Sequence, residues 1–173
     1  MINLKNRLRF LAGWTGFAMF LATLAFSPGC TSQGGDKAAA DEQQIREIIQ
    51  QYQKGWLTLD LDQLQSIWDN NYPNIIYVAV ELKEPIKGWE GVKKYYEGGI
   101  QYFAQVNALD LPDISVDTFG NVAYAFSKYH FEATPQGENP QKIEGDGQIT
   151  FLLRKTEGKW RLIQYHESAP HAH

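Results

Sequence analysis

The sequence predicts an α+β fold in which helices from the front of the chain cover one face of a curved, mostly antiparallel sheet built from its rear. Three observations carry that reading. Apolar residues recur three to four apart between Ile45 and Trp56, the spacing of one helix face. After Pro112, side chains alternate along the runs 122–132, 143–154 and 159–167, with the period of a strand. Those runs are joined by TPQGENPQ and KTEG, whose Pro, Gly and Asn residues favour reversal of the chain.

The first helix begins at Asp41 or in the alanines before it and ends near Gly55, with Ile45, Ile48, Ile49, Tyr52 and Trp56 on its apolar face. A shorter helix is expected from Leu61 to Trp68, where Leu61, Leu64, Ile67 and Trp68 share a face and Asp60 can cap the free N–H groups of the first turn. Asn70, Asn71 and Pro73 break the chain, and IIYVAV, residues 75–80, reads as a strand because it is β-branched and aromatic. GWEGVKKYYEGGIQYF opens with a glycine and predicts a third helix centred on Val92 to Tyr96.

In the strand 122–132 the large Val122, Tyr124 and Phe126 alternate with Ala123, Ala125 and Ser127. In the next strand Ile149, Phe151 and Leu153 alternate with Gln148 and Thr150. The large sets are expected under the helices, which in the last strand places Ile163, Tyr165 and Glu167 inside and leaves Trp160, Leu162, Gln164 and His166 on the outer face.

At 43% hydrophobic and 13% aromatic residues the chain has material for one domain with a proper core. The net charge is −4, and the leading segment holds Lys5, Arg7 and Arg9, three of the 16 bases, so without it 13 bases face 20 acids and the charge becomes −7. An acidic domain without a basic run excludes nucleic acid as the expected partner, since phosphate recognition needs clustered Lys and Arg. Cys30 is the only cysteine, which excludes an internal disulfide and a cysteine metal site.

Residues 1–29 join a cationic start to the apolar run Phe10 to Phe26 and end in SPG before Cys30, the layout of an export signal. A lone cysteine at that point resembles the lipobox of bacterial lipoproteins, although Ser27 and Pro28 depart from its pattern. The resemblance implies lipidation at Cys30 and a membrane-anchored location outside the cytoplasm, in the cell envelope; an uncut single-pass anchor is the alternative. Residues 30–40, small and polar with two glycines, read as a flexible tether to a domain at 41–170, with a short tail at 171–173.

The order of elements and the strings GW..VKKYYE, D..GNVAYAF and EGKW....YH.SAP resemble the nuclear transport factor 2-like superfamily, which includes SnoaL-like and ketosteroid isomerase proteins. Within it the strings are most similar to the association domain of calcium/calmodulin-dependent kinase II and its bacterial relatives. The resemblance covers about residues 41–170 and implies a cone-shaped fold, a ligand hollow between sheet and helices, and dimers formed through the opposite sheet face. It does not choose a function, because isomerases, dehydratases, transport adaptors and assembly hubs share this scaffold. Aligned by eye, positions that are basic in the kinase domain hold Val92, Phe126, Phe151 and Glu167 here, which removes the anion site. The implied pocket is lined by Val92, Tyr96, Tyr124, Phe126, His130, Ile149, Phe151, Tyr165 and Glu167, and the implied dimer face carries Trp160, Leu162, Gln164 and His166.

Glu167, Asp146 and Tyr165 are the catalytic candidates. An apolar pocket disfavours the charged form of a carboxylate and raises its pKa, as a general acid or base near neutral pH requires. Glu167 could instead sit in water or pair with Lys128. Asp146 lies between Gly145 and Gly147, where a bulge would turn it inward. The terminal His171 and His173 lack the further fixed ligands of a metal site, and no phosphate loop, GxSxG or HExxH occurs. No cofactor is expected. Three functions follow: a tethered domain binding a small, largely apolar molecule, a cofactor-free isomerase or dehydratase, or a pure association module.

Overall fold

The computed structural model describes residues 33–169; the segment 1–29 expected to be an export signal, Cys30 and the tail 171–173 lie outside them. Helix α1 spans Gln33–Leu57, so it starts eight residues before Asp41, within the stretch expected to be a tether. Lys37 and three alanines favour helix and Asp36 complements the positive end of its dipole, so local propensity carries the helix outward although residues 35–40 are exposed. From Asp41 onward one face is buried, with Ile45, Ile48, Ile49, Tyr52 and Trp56 in the core. Helix α2 spans Leu61–Ser66, and Asp60 caps it by accepting the Gln63 N–H at 3.0 Å. It stops two residues short of the expected end because Trp68 leaves the helix to form a parallel bridge to Leu162.

Strands β1 (Ile76–Val78) and β2 (Ile86–Lys87) precede α3 (Trp89–Tyr102), and β3 (Phe103–Asp110), β4 (Ser115–Phe119), β5 (Val122–Pro135), β6 (Ile143–Thr156) and β7 (Lys159–Ser168) follow. The sheet order is β2-β1-β7-β6-β5-β3, with β4 also paired to β5. Every pairing is antiparallel except β1 with β7. The curved sheet with three helices on one face is the expected α+β cone. β1 is shorter than the IIYVAV run; Val80 and Glu81 turn out of the sheet.

The side-chain alternation of β5 is opposite to expectation. Ala123, Ala125 and Ser127 are buried under the helices, whereas Val122 and Tyr124 are exposed on the outer face. Bulk was the wrong guide because the volume over β5 is already filled from other elements, by Tyr52 of α1 against Phe151 of β6 with ring centroids 5.3 Å apart. On β6 the large set does face inward: Ile149, Phe151 and Leu153 are buried.

In β7 the register to β6 shifts between Leu152 and Leu153, leaving Ile163 as the extra residue of a bulge. The bulge lets Trp160 and Leu162 point inward as well as Tyr165 and Glu167, and Trp160 and Leu162 are core residues rather than dimer-face residues. Trp160 donates from Nε1 to Asp41 at 3.0 Å, and the same carboxylate takes a hydrogen bond from Lys155, tying the start of the buried part of α1 to the β6–β7 hairpin.

Candidate functional site

A cavity of about 690 Å³ opens where the wide end of the sheet faces α1 and α3, a size typical of small-molecule sites. α1 contributes Tyr52 and Trp56; α3 contributes Lys94, Tyr95, Gly98, Gly99 and Tyr102; the turn after β1 contributes Val80 and Glu81. Tyr77, Phe103, Leu109, Tyr129 and Phe131 line the sheet side, and Ile143, Glu144, Gly145 and Glu167 complete the rim and wall. Gly99 is needed here: a Cβ on it would lie 2.8 Å from the Trp56 ring, so the glycine lets α3 and α1 close over the hollow. Gly147 likewise has no room for a Cβ, which would meet Ser168 O at 2.5 Å and the Tyr129 ring at 2.7 Å.

The aromatic wall is a packed network rather than a set of loose rings. Tyr77 stands opposite Tyr165 in the parallel β1–β7 pair, and their rings stack at 4.4 Å with 7° between planes. Tyr95 lies 4.8 Å from Tyr77, and Tyr52 lies 5.3 Å from Tyr165. A hydroxyl relay runs through it: Tyr52 OH donates to Tyr165 OH at 2.7 Å, and Tyr165 OH donates to Glu167 Oε1. Glu167 Oε2 accepts the Val80 N–H at 3.3 Å, and Tyr95 OH donates to Glu81.

Burial pushes the Glu167 carboxyl up to about 6, against the opposing pull of the Tyr165 and Val80 hydrogen bonds. Burial also raises Tyr52, Tyr77 and Tyr165 well above the ordinary phenol value, so all three are neutral donors or acceptors at physiological pH. Within the site the Glu167 carboxyl stands at the end of a neutral hydroxyl chain, poised to gain or lose a proton near neutrality. Among the described residues no group of three or more His, Cys, Asp or Glu is arranged to hold a metal ion.

Of the residues expected to line the pocket, Glu167 does so. Tyr165 is fully buried behind it and acts on the cavity only through its hydroxyl. Val92, Tyr96, Ile149 and Phe151 are core residues beneath the cavity floor, with Tyr96 OH accepting from Trp68 Nε1 at 3.0 Å. Tyr124, Phe126 and His130 are corrected to the outer face by the β5 alternation; Tyr124 OH donates to Asp117 at 2.7 Å. Asp146 is corrected too: no bulge forms at Gly145 or Gly147, the β5–β6 register runs unbroken, and Asp146 pairs on the outer face with His130 at 2.9 Å. Gln164 and His166 share that outer face, His166 being exposed. Lys128 points outward as well and does not meet Glu167.

Missed by the sequence reading were Tyr77, Glu81, Lys94, Tyr129 and Phe131, all in the lining. The Gly98–Gly99 pair near the end of an aromatic-rich helix was the available signal, since two small residues there leave a hollow.

The SnoaL-like domain family matches residues 45–172. No curated protein matches the chain. Among solved structures, a candidate dehydratase of the nuclear transport factor 2-like family from Streptomyces avermitilis superposes with a TM-score of 0.69 at 16% identity, over 78% of this chain and 99% of that one. A nuclear transport factor 2-like superfamily protein from Salmonella enterica gives 0.68 at 22% identity, over 78% and 94%. A candidate scytalone dehydratase from Novosphingobium aromaticivorans gives 0.67 at 14% identity, over 80% and 93%. These likenesses are likenesses of fold. With the family match spanning most of the domain, the chain belongs to the SnoaL-like domain family, with the fold of nuclear transport factor 2-like proteins.

Proposed function

We propose that the protein is a membrane-tethered envelope domain that binds a small, largely apolar molecule in the cavity between sheet and helices. The supporting observation is the cavity itself: about 690 Å³, walled mainly by aromatic rings, with few polar groups converging at Glu167. The tether is lipidated Cys30, and the outer sheet face, carrying Phe126, Gln164 and His166, pairs two copies. Native mass spectrometry of the full-length chain taken from its host's envelope extract tests the reading. A dimer carrying an apolar adduct supports it, and an empty monomer or an empty large ring counts against it.

A second reading is favoured by the Glu167 carboxyl, raised to about 6 within the cavity: proton transfer on a bound substrate, as in an isomerase or dehydratase. Glu167 alone carries that role, because Asp146 lies on the outer face and the Tyr165 hydroxyl is buried and committed to Glu167. A candidate dehydratase among the structures of like fold supports it at the level of the scaffold. Loss of turnover in Glu167→Gln with ligand binding retained would establish it.

A further inference from the structure

We propose that the ligand of this cavity is an apolar molecule bearing a positively charged amine or quaternary ammonium, seated with its charge toward Glu167 and Glu81 and its apolar body among the rings. The inference rests on the binding reading above and adds the charge of the ligand to it. Two independent features of the lining support it. The first is the balance of charged side chains: Glu81 and Glu167 against Lys94, the Glu144 side chain sharing the outer face of β6 with Asp146. The second is the direction of the hydrogen bonds. The hydroxyls of Tyr52, Tyr95 and Tyr165 already donate, to Tyr165, Glu81 and Glu167 respectively, so the donors nearest the carboxylates are committed.

What remains at that end of the cavity is acceptor capacity. A carboxylate offers about four lone-pair directions, and Glu167 receives two donors, Tyr165 OH and Val80 N–H. A ligand carbonyl or carboxylate would find lone pairs facing lone pairs, whereas a protonated amine donates into them and a quaternary ammonium, which has no N–H, meets the carboxylates through its charge alone. The aromatic faces act in the same sense, since a ring presents negative electrostatic potential to a cation over its face. Tyr77, Tyr95 and Trp56 lie within the same lining as the acids, so charge and rings act on one ligand.

Protonation of Glu167 should govern the affinity. The groups that face it are Tyr165 on its own strand, Val80 and Glu81 after β1, Tyr52 from α1, Tyr95 and Tyr96 from α3, and Tyr129 from β5. The tyrosines stay neutral, which leaves the Glu167 carboxylate as the pH-dependent partner of a permanent cation.

The test uses the full-length chain in lipid nanodiscs and three probes of one size: benzyltrimethylammonium, its neutral carbon isostere neopentylbenzene, and benzenesulfonate. Binding is followed by Trp fluorescence and calorimetry. The cation should bind at least about tenfold more tightly than the isostere, the range of a desolvated cation–π contact, and its affinity should fall as the pH drops from 7 to 5. Glu167→Gln should remove most of that preference. Equal binding of cation and isostere overturns the inference and leaves the binding reading standing. Tighter binding of benzenesulfonate overturns it as well, assigning the polar end to Lys94. Failure of every probe to bind sinks the binding reading along with it. A cation preference that survives in both Glu167→Gln and Glu81→Gln overturns the placement of the charge in this cavity.

Discussion

Replacing Glu167 by Gln should make the protein progressively more resistant to unfolding, relative to the native chain, as the pH rises. The Glu167 carboxyl titrates at about 6 in the folded protein against an ordinary 4.5, with burial as the main cause. An acid whose folded pKa is raised binds its proton more tightly when folded, so ionisation costs stability, and the cost grows between the two values and is complete above the higher one. At about 1.4 kcal/mol per pKa unit, the interval of about 1.5 units corresponds to about 2 kcal/mol, an upper value because water at the cavity mouth screens part of the charge. Gln keeps an oxygen to accept the Tyr165 hydroxyl but loses the acceptor for the Val80 N–H, a fixed penalty of about 1 kcal/mol that does not vary with pH.

The measured quantity is the difference in unfolding free energy between native chain and variant, from urea titrations at pH 4, 5, 6 and 7 followed by tryptophan fluorescence. Other carboxylates titrate alike in both proteins and cancel. The variant should gain about 2 kcal/mol on the native chain across that range. A flat difference, or one in which the native chain gains as pH rises, would refute the desolvation of Glu167 and with it the basis for giving this residue a chemical role.

Tyr165→Phe should raise the Glu167 pKa further, by about one unit, because a hydrogen bond to the charged form is lost and such a bond is worth about 1.5–3 kcal/mol; carbon-detected NMR of labelled glutamate measures it. Asp41→Ala should destabilise by about 3 kcal/mol in thermal or urea unfolding, since the half-buried Lys155 and the buried Trp160 Nε1 both lose their partner, and Asp41→Asn should cost less. The Lys155 hydrogen bond above all holds the Asp41 carboxyl below its ordinary 3.8, so its contribution is present above pH 3.8 and lost as the pH falls further. Gly147→Ala should destabilise by about 2 kcal/mol or more, because its Cβ meets Ser168 O and the Tyr129 ring with no flexible end to move aside. Tyr124→Phe should leave both stability and probe binding within about 0.5 kcal/mol of the native chain, as an exposed outer-face residue should.

The helices and the C-terminal meander were legible from local period and turn chemistry, and the SnoaL-like family from the strings GW..VKKYYE, D..GNVAYAF and EGKW....YH.SAP that resemble it. Ile45, Ile48, Ile49, Tyr52 and Trp56 declare one helix face by spacing, and Asp60 declares a cap. Glu167 was legible as a pocket carboxylate because strict alternation from Tyr165 holds over the last residues of β7, beyond the bulge. The pocket's other walls were not. Tyr77, Tyr129 and Phe131 reach the lining through pairings between strands that are distant in sequence, and no local pattern records those pairings.

Alternation along a strand states which residues share a face, and that was correct for β5: Val122, Tyr124 and Phe126 do share one. It does not state which face meets the helices. That choice belongs to the volume the other elements leave free, and here Tyr52 and Phe151 fill the space over β5, so alanines face inward and the large residues face out. The bulge at Ile163 likewise turned Trp160 and Leu162 from an expected surface into core, through a register shift that only the paired β6 reveals. Thus the sequence determined the elements, the shared faces and the carboxylate, since these depend on neighbours along the chain, whereas the orientation of β5, the outward placement of Asp146 and the aromatic cavity were decided by packing between distant elements.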